Sequence, residues 1–311
     1  MPIIKKNDVT PERPVIIVLY GVPGSRKTST ATTAENPILI DTDRGFDRAV
    51  QRIDTLTAQR WTDITSELET IKQYKTTIVD TAKAMLDDYL SVYVCEQNYK
   101  LKNNALKRFG QMADEFKSFV NILRSNNSDI IFICHDKETQ EGDTVKHSPD
   151  CTGQSKDLLL RIADQVGFIS IRNRESVIDF TPNDNYVTKN VALLEPLVIP
   201  DVASKEFPTF MADIIKRVKS AIQSKSEAQR KAQEQLAKLR EELEKAETEE
   251  DVESIMAQAK DLPPILKAPF FAEAKETLAT KGFEFDSKAK KFVKKQSYEP
   301  TEPSADSCNN D

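Results

Sequence analysis

The chain has no apolar run near the roughly 18 residues that a membrane-spanning helix needs, so no transmembrane segment is expected. No charged-then-apolar leader opens it, which points to a cytoplasmic location. It has no excess of positive charge. At a net charge of −6 the whole surface is not a polyanion-binding face, so nucleic acid would have to meet a local basic patch. Cysteine is sparse: Cys95, Cys134, Cys151 and Cys308 form no Cys-x-x-Cys knuckle and read as reduced thiols. A zinc site from Cys134, His135, His147 and Cys151 is disfavoured, because adjacent residues on a strand point opposite ways. No internal repeat is evident.

What is present begins with Val15 to Ser29, VIIVLYGVPGSRKTS. The apolar run Val15 to Tyr20 predicts a strand buried on both faces. Gly21, Val22, Pro23, Gly24, Ser25, Arg26, Lys27 and Thr28 then fit the phosphate-binding loop G-x-x-x-x-G-K-[ST] at every fixed position but one, and Ser29 follows. Small residues let the backbone amides approach a phosphate, Lys27 reaches the β and γ oxygens, and the Thr28 hydroxyl suits Mg²⁺. A helix from Ser29 to Ala34 is expected to add its dipole. The exception is Arg26, where the pattern has glycine. Its β-carbon could strain the turn, or its guanidinium could add a phosphate contact.

Further strands are expected at Ile38 to Ile40, Thr76 to Asp80, Asp129 to Cys134, Val166 to Arg172, Ser176 to Phe180 and near Val187 to Leu194. Helical spacing covers Ala82 to Lys100, Gln111 to Leu123 and a turn or two from Asp157 to Ala163; Asp47 to Glu69 reads as partly helical. Such alternation argues for a mostly parallel sheet covered by helices. Asp80 ends an apolar strand downstream of the phosphate loop, the Walker B arrangement, in which the carboxylate holds Mg²⁺. His135 stands at the carboxyl end of another strand, where it can sense a γ-phosphate. Lys137 to Ser155 reads as one or two mobile loops.

These motifs together resemble the RecA-like P-loop ATPases, most closely the phage nucleotide-binding and single-strand annealing proteins with a minimal RecA core. The resemblance covers roughly Val15 to Asp201. It implies an α/β RecA-like core with ATP and Mg²⁺ as cofactors. It implies that Asp43, in ILIDTDRGFD, activates the attacking water in place of the family's usual Glu, and that Asp80 and Thr28 hold the metal while Lys27 stabilises charge. His135, in place of the family's Gln, would couple the nucleotide to a DNA-gripping region, Asp136 to Lys156, carrying Lys137, Lys146 and Lys156. Lys189, in VTKNVA, would reach the γ-phosphate of a neighbouring subunit. The implied partners are single-stranded DNA and further copies of the chain in a ring or filament, serving phage recombination or replication in the bacterial host cytoplasm. Two alternatives stand beside this reading. One is a nucleotide-binding adaptor that does not hydrolyse. The other is a small-molecule kinase, although the Arg-rich lid usual in kinases is lacking.

The expected organisation is a RecA-like core at 1–209, a charged helix or linker at 210–250, a small basic module at 251–296 that could dock a protein partner, and a disordered acidic tail at 297–311. Within it, Phe210 to Ile222 reads as an amphipathic helix and Ser224 to Glu250 as a solvated one. Thr248 starts a new cap, Pro263-Pro264 breaks the helix, and Ala272 to Thr280 forms another that Gly282 ends. Lys281, Lys288, Lys290, Lys291, Lys294 and Lys295 make the module basic.

Overall fold

The computed structural model describes residues 11–142, 144–224, 227–286 and 291–294. It divides into a unit spanning Glu12–Gln223 and a second comprising Met1–Pro11 and Ser224–Asp311.

In the first unit the strands are β1 (Ile16–Gly21), β2 (Pro37–Asp41), β3 (Asp54–Thr57), β4 (Thr76–Asp80), β5 (Asp129–Glu141), β6 (Thr144–Pro149), β7 (Gln165–Arg172), β8 (Glu175–Asp179), β9 (Lys189–Asn190) and β10 (Leu197–Val198). The helices are α1 (Lys27–Ala31), α2 (Trp61–Ser66), α3 (Leu68–Ile71), α4 (Ser91–Gln97), α5 (Ala105–Ser125), α6 (Gly153–Ile162) and α7 (Phe210–Gln223). The sheet runs β10-β8-β7-β1-β5-β4-β2-β3, with β6 on β5 and β9 on β7. Every pairing from β7 through β1 to β3 is parallel, and those with β6, β8, β9 and β10 are antiparallel. This is an α/β P-loop core with a mostly parallel sheet flanked by helices, as the alternation of segments predicts.

The strand sequences lack polar alternation because both faces are covered. Ile16, Val18 and Tyr20 point into a core with Phe116, Phe119 and Phe132, while Ile17 and Leu19 point into another with Ile131, Met211, Ile214 and Val218. Two acids fix the entry of β1. Asp129 accepts from the Val15 amide at 2.9 Å, and Asp164 accepts from the Ile16 amide at 3.0 Å and from both ends of the Arg13 guanidinium. Register then aligns the strand ends: Gly21 with His135, and Asp41 with Asp80. The loops that follow those ends share one edge of the sheet, where ligands bind in open α/β folds.

Several boundaries differ from the sequence expectations. Lys137 to Ser155 is not a mobile loop. β5 continues to Glu141 and pairs with β6 in a long antiparallel hairpin, and Gly153 starts α6. The hairpin escaped detection because its residues are mostly polar and exposed, so apolar patterning cannot mark it. Asp54–Thr57, within a stretch read as partly helical, is strand β3. The segment 84–97 begins with a π-helical turn before α4, and α5 starts six residues before the expected Gln111. The strand expected near 187–194 shrinks to the two residues of β9.

The second unit holds α8 (Glu227–Lys245), α9 (Glu249–Ala259), α10 (Pro264–Thr280), β11 (Phe283–Asp286) and β12 (Lys291–Lys294), the last two paired antiparallel. It has its own core, including Leu239, Leu243, Ile255, Phe270, Leu278 and Phe292. Thr248 does cap α9: its hydroxyl accepts from the Asp251 amide, and the Asp251 carboxylate accepts from the Thr248 amide. Pro264 starts α10 at its first position, where a missing amide costs nothing, so α10 is longer than Ala272–Thr280. Lys281 is structural. Its ammonium donates to the carbonyls of Leu243, Glu244 and Ala246 at the end of α8. Lys288, Lys290 and Lys295, and the tail at 297–311 with Cys308, lie outside the described residues. Among the described residues, no helix is long and apolar enough to cross a membrane.

Candidate functional site

The loop from Val22 to Arg26 joins β1 to α1, and with the start of α1 it borders a cavity of about 380 Å³, lined also by Asp43, Gly45, Arg48, Val50, Asp80 and His135. Gly21 is obligatory, because a β-carbon there would lie 2.3 Å from the Ile169 carbonyl oxygen of the neighbouring β7. Gly24 takes φ +78°, open to glycine and strained for other residues. Ser25 is buried, and its hydroxyl donates to the Val22 carbonyl at 2.8 Å, tightening the turn. Val22, Pro23 and Gly24 form its outer rim.

Arg26 occupies the position where the motif has glycine, and its φ of 71° is the left-handed value that glycine would take freely. Arg26 is among the residues that line the cavity, and its guanidinium is held by partners outside the motif. It donates to the Pro200 carbonyl at 2.8 Å and sits 5.1 Å from the centre of the Phe207 ring. Both partners lie outside the motif, so no spacing rule could reveal this tether. α1 is five residues long and starts at Lys27, so its dipole adds less than the helix expected from Ser29 to Ala34. An anion here would rest on the loop amides and Lys27.

Lys27 is 7 % exposed, and its ammonium donates to the carbonyls of Gly21 and Val22, each at 2.9 Å. Burial lowers its pKa, while Asp80 acts in the opposite sense. The Thr28 hydroxyl donates to Asp80 Oδ2 at 2.5 Å. Burial pushes the Asp80 carboxyl above the usual range, and Thr28 and Lys27 hold it partly back. A hydroxyl and a carboxylate form a hard oxygen pair suited to Mg²⁺. The residues present therefore fit the ion: Thr28 and Asp80 would hold it beside Lys27.

Asp43 and His135 also meet, with His135 Nε2 3.5 Å from Asp43 Oδ2. Asp43 reaches the cavity because Asp41, 2 % exposed, holds the turn after β2: its carboxylate accepts from the amides of Asp43, Gly45 and Phe46 at 3.1–3.2 Å. That turn also brings Arg48 to the wall, and the Val50 amide donates to the Ser29 hydroxyl at 3.2 Å. Asp41 and Arg48 are the residues sequence reasoning missed. The Asp-Thr-Asp sequence offers two candidate acids, and only the fold decides which one braces the turn and which faces the cavity.

The remaining candidates lie apart from the cavity. Lys137 and Lys146 sit on the β5–β6 hairpin, and Lys156 on α6. Lys137 pairs with Ser148 and Lys146 with Thr139, so pleating puts both lysines on one face. Lys189 on β9 donates to the Ala163 carbonyl at 2.5 Å, at the end of α6. To reach another subunit it would have to leave that helix end. The four Cys and His residues do not converge on a metal. Cys134 and Cys151 are buried with sulfurs 4.0 Å apart, His135 turns to Asp43, and His147 binds Asp136.

The family model AAA_24, an AAA domain, matches residues 13–191, more than half of the chain. No match to this chain was found among the curated proteins. Among solved structures, the RadB recombinase aligns with a TM-score of 0.34 at 15 % identity, over 54 % of this chain and 81 % of that one.

Proposed function

We propose, for a chain that belongs to the AAA_24 family of AAA domains, an ATPase that binds single-stranded DNA and supports recombination or replication by strand annealing, of the kind phages use. The observation that carries the reading is the convergence of Lys27, Thr28, Asp80, Asp43 and His135 on one cavity beside the phosphate loop. In this reading the loop amides and Lys27 bind the nucleotide phosphates, and Lys27 offsets charge that develops on transfer. Thr28 and Asp80 would hold Mg²⁺, which supplies charge neutralisation when bound. Asp43 accepts a hydrogen bond from the attacking water and orients it, and His135, on β5 and 3.5 Å from Asp43, registers the state of that site. His135 is followed directly by the hairpin, whose Lys137 and Lys146 share a face and would track a phosphate backbone. Copies of the chain would assemble along the strand, and the second unit would dock a protein partner.

Phosphate release from ATP, measured with and without single-stranded DNA for the wild type and Lys27→Ala, tests the reading. A DNA-stimulated rate lost by about 10²-fold or more in the variant is the expected result. ATP binding without hydrolysis in every condition would replace it with a nucleotide-switched adaptor, the reading that the tethering of Arg26 at the non-glycine position favours. Transfer of phosphate to a small acceptor would make the chain a kinase.

A further inference from the structure

On the hairpin face opposite Lys137 and Lys146, Asp136, Glu138 and His147 come together. Glu138 pairs directly with His147, and Asp136 lies two residues before Glu138 on the same strand face. One potential ligand atom from each lies within 4.8 Å of the others. His147 Nδ1 is 2.6 Å from Asp136 Oδ2. The Asp136 side chain is only 3 % exposed, and its other oxygen, Oδ1, is buried with no hydrogen-bond partner among the described residues. A buried carboxylate oxygen without a partner is costly and calls for a ligand.

The imidazole is also held in place. The His147 amide donates to the Asn185 carbonyl at 2.7 Å, its carbonyl accepts from the Val187 amide at 3.0 Å, and its ring packs 5.0 Å from that of Phe168. A side chain fixed at its backbone and ring is pre-organised for ligation. Glu138 is exposed, which leaves room for water to complete a coordination sphere.

We propose that Asp136, Glu138 and His147 form a divalent metal site, separate from the nucleotide cavity and of the one-imidazole, two-carboxylate type that suits Zn²⁺ or Co²⁺. The ion satisfies Asp136 Oδ1, clamps β5 to β6 and fixes the spacing of the lysines on the other face. This site does not depend on ATP or DNA binding.

The test uses the full chain without nucleotide, stripped by a chelator and titrated with Co²⁺ by absorption, then with Zn²⁺ against a chromophoric chelator. One equivalent should bind, giving ligand-field bands without sulfur-to-cobalt charge transfer. His147→Ala and Glu138→Gln should each weaken binding by about 100-fold or more, since loss of even a ligand's outer partner costs about 10–100-fold. Glu138 is exposed, so its glutamine variant should keep the fold, as circular dichroism will show. Zn²⁺ should raise the melting temperature of the wild type and not that of Glu138→Gln. Asp80→Asn and Cys151→Ser should bind as the wild type does. No binding by the wild type, equal binding by His147→Ala and Glu138→Gln, or loss in Asp80→Asn or Cys151→Ser would overturn the proposal.

Discussion

Asp80 brings the clearest conflict between stability and chemistry to a single side chain. Its burial raises the carboxyl pKa above the ordinary 3.8. The native state then binds that proton more readily than the unfolded chain, so this group's contribution makes stability fall as pH rises from about 3.8 through the raised native value. Asp80→Asn should flatten that slope in thermal melts at a series of pH values, without lowering the melting temperature at pH 7, while Mg²⁺-dependent hydrolysis falls by about 10²-fold or more. A lower melting temperature at pH 7 would mean that the Thr28 hydrogen bond outweighs the desolvation of the carboxylate.

Arg26 poses the opposite balance. Replacement by glycine relieves a left-handed backbone costing about 1–2 kcal/mol. It also removes a charged hydrogen bond to the Pro200 carbonyl and the contact with Phe207, together worth about 2–4 kcal/mol. Arg26→Gly should therefore lower stability by no more than about 3 kcal/mol, measured by urea unfolding, because the two effects oppose one another. Arg26→Ala keeps the strain and loses the tether, and should be the less stable of the two.

At the scale of elements, the β5–β6 hairpin decides which basic side chains stand together. Its strand pairing turns residues nine apart, Lys137 and Lys146, into neighbours on one face. If this face meets single-stranded DNA, Lys137→Ala and Lys146→Ala should each weaken binding without sequence preference. Each should reduce the slope of log affinity against log salt by about 0.7, the contribution of one phosphate contact. Fluorescence anisotropy at several salt concentrations reads both effects, and an unchanged slope in the double variant would remove the hairpin from the interface.

For the whole molecule, the boundary between units decides what can be removed. It falls after Gln223, so α7 belongs with the sheet. Met211, Ile214, Ile215 and Val218 of α7 complete the core over Ile17 and Leu19. At about 1.5–3 kcal/mol for each buried side chain, they contribute roughly 6–12 kcal/mol, comparable with the total stability of a domain. A chain ending at residue 223 should stay folded and bind ATP, whereas one ending at 209 should aggregate. Size-exclusion chromatography and nucleotide binding distinguish the two.

The phosphate loop, the Walker B strand and the α/β alternation were legible because each is local: an apolar run, a fixed spacing, an acid at a strand end. Lys27, Thr28 and Asp80 needed no long-range information. The partition of Asp41 and Asp43 into a brace and a cavity residue, the tether from Arg26 to Pro200, and the approach of Asp136, Glu138 and His147 depend on chain crossings and register. Sequence determined where the phosphate-loop pattern lies and which acid ends the strand downstream of it, since backbone geometry and charge at fixed spacing dictate that motif. Only the tertiary structure decided what else faces it and what lies behind it, because side chains far apart in sequence meet through sheet pairing and core packing, which leave no short-range pattern.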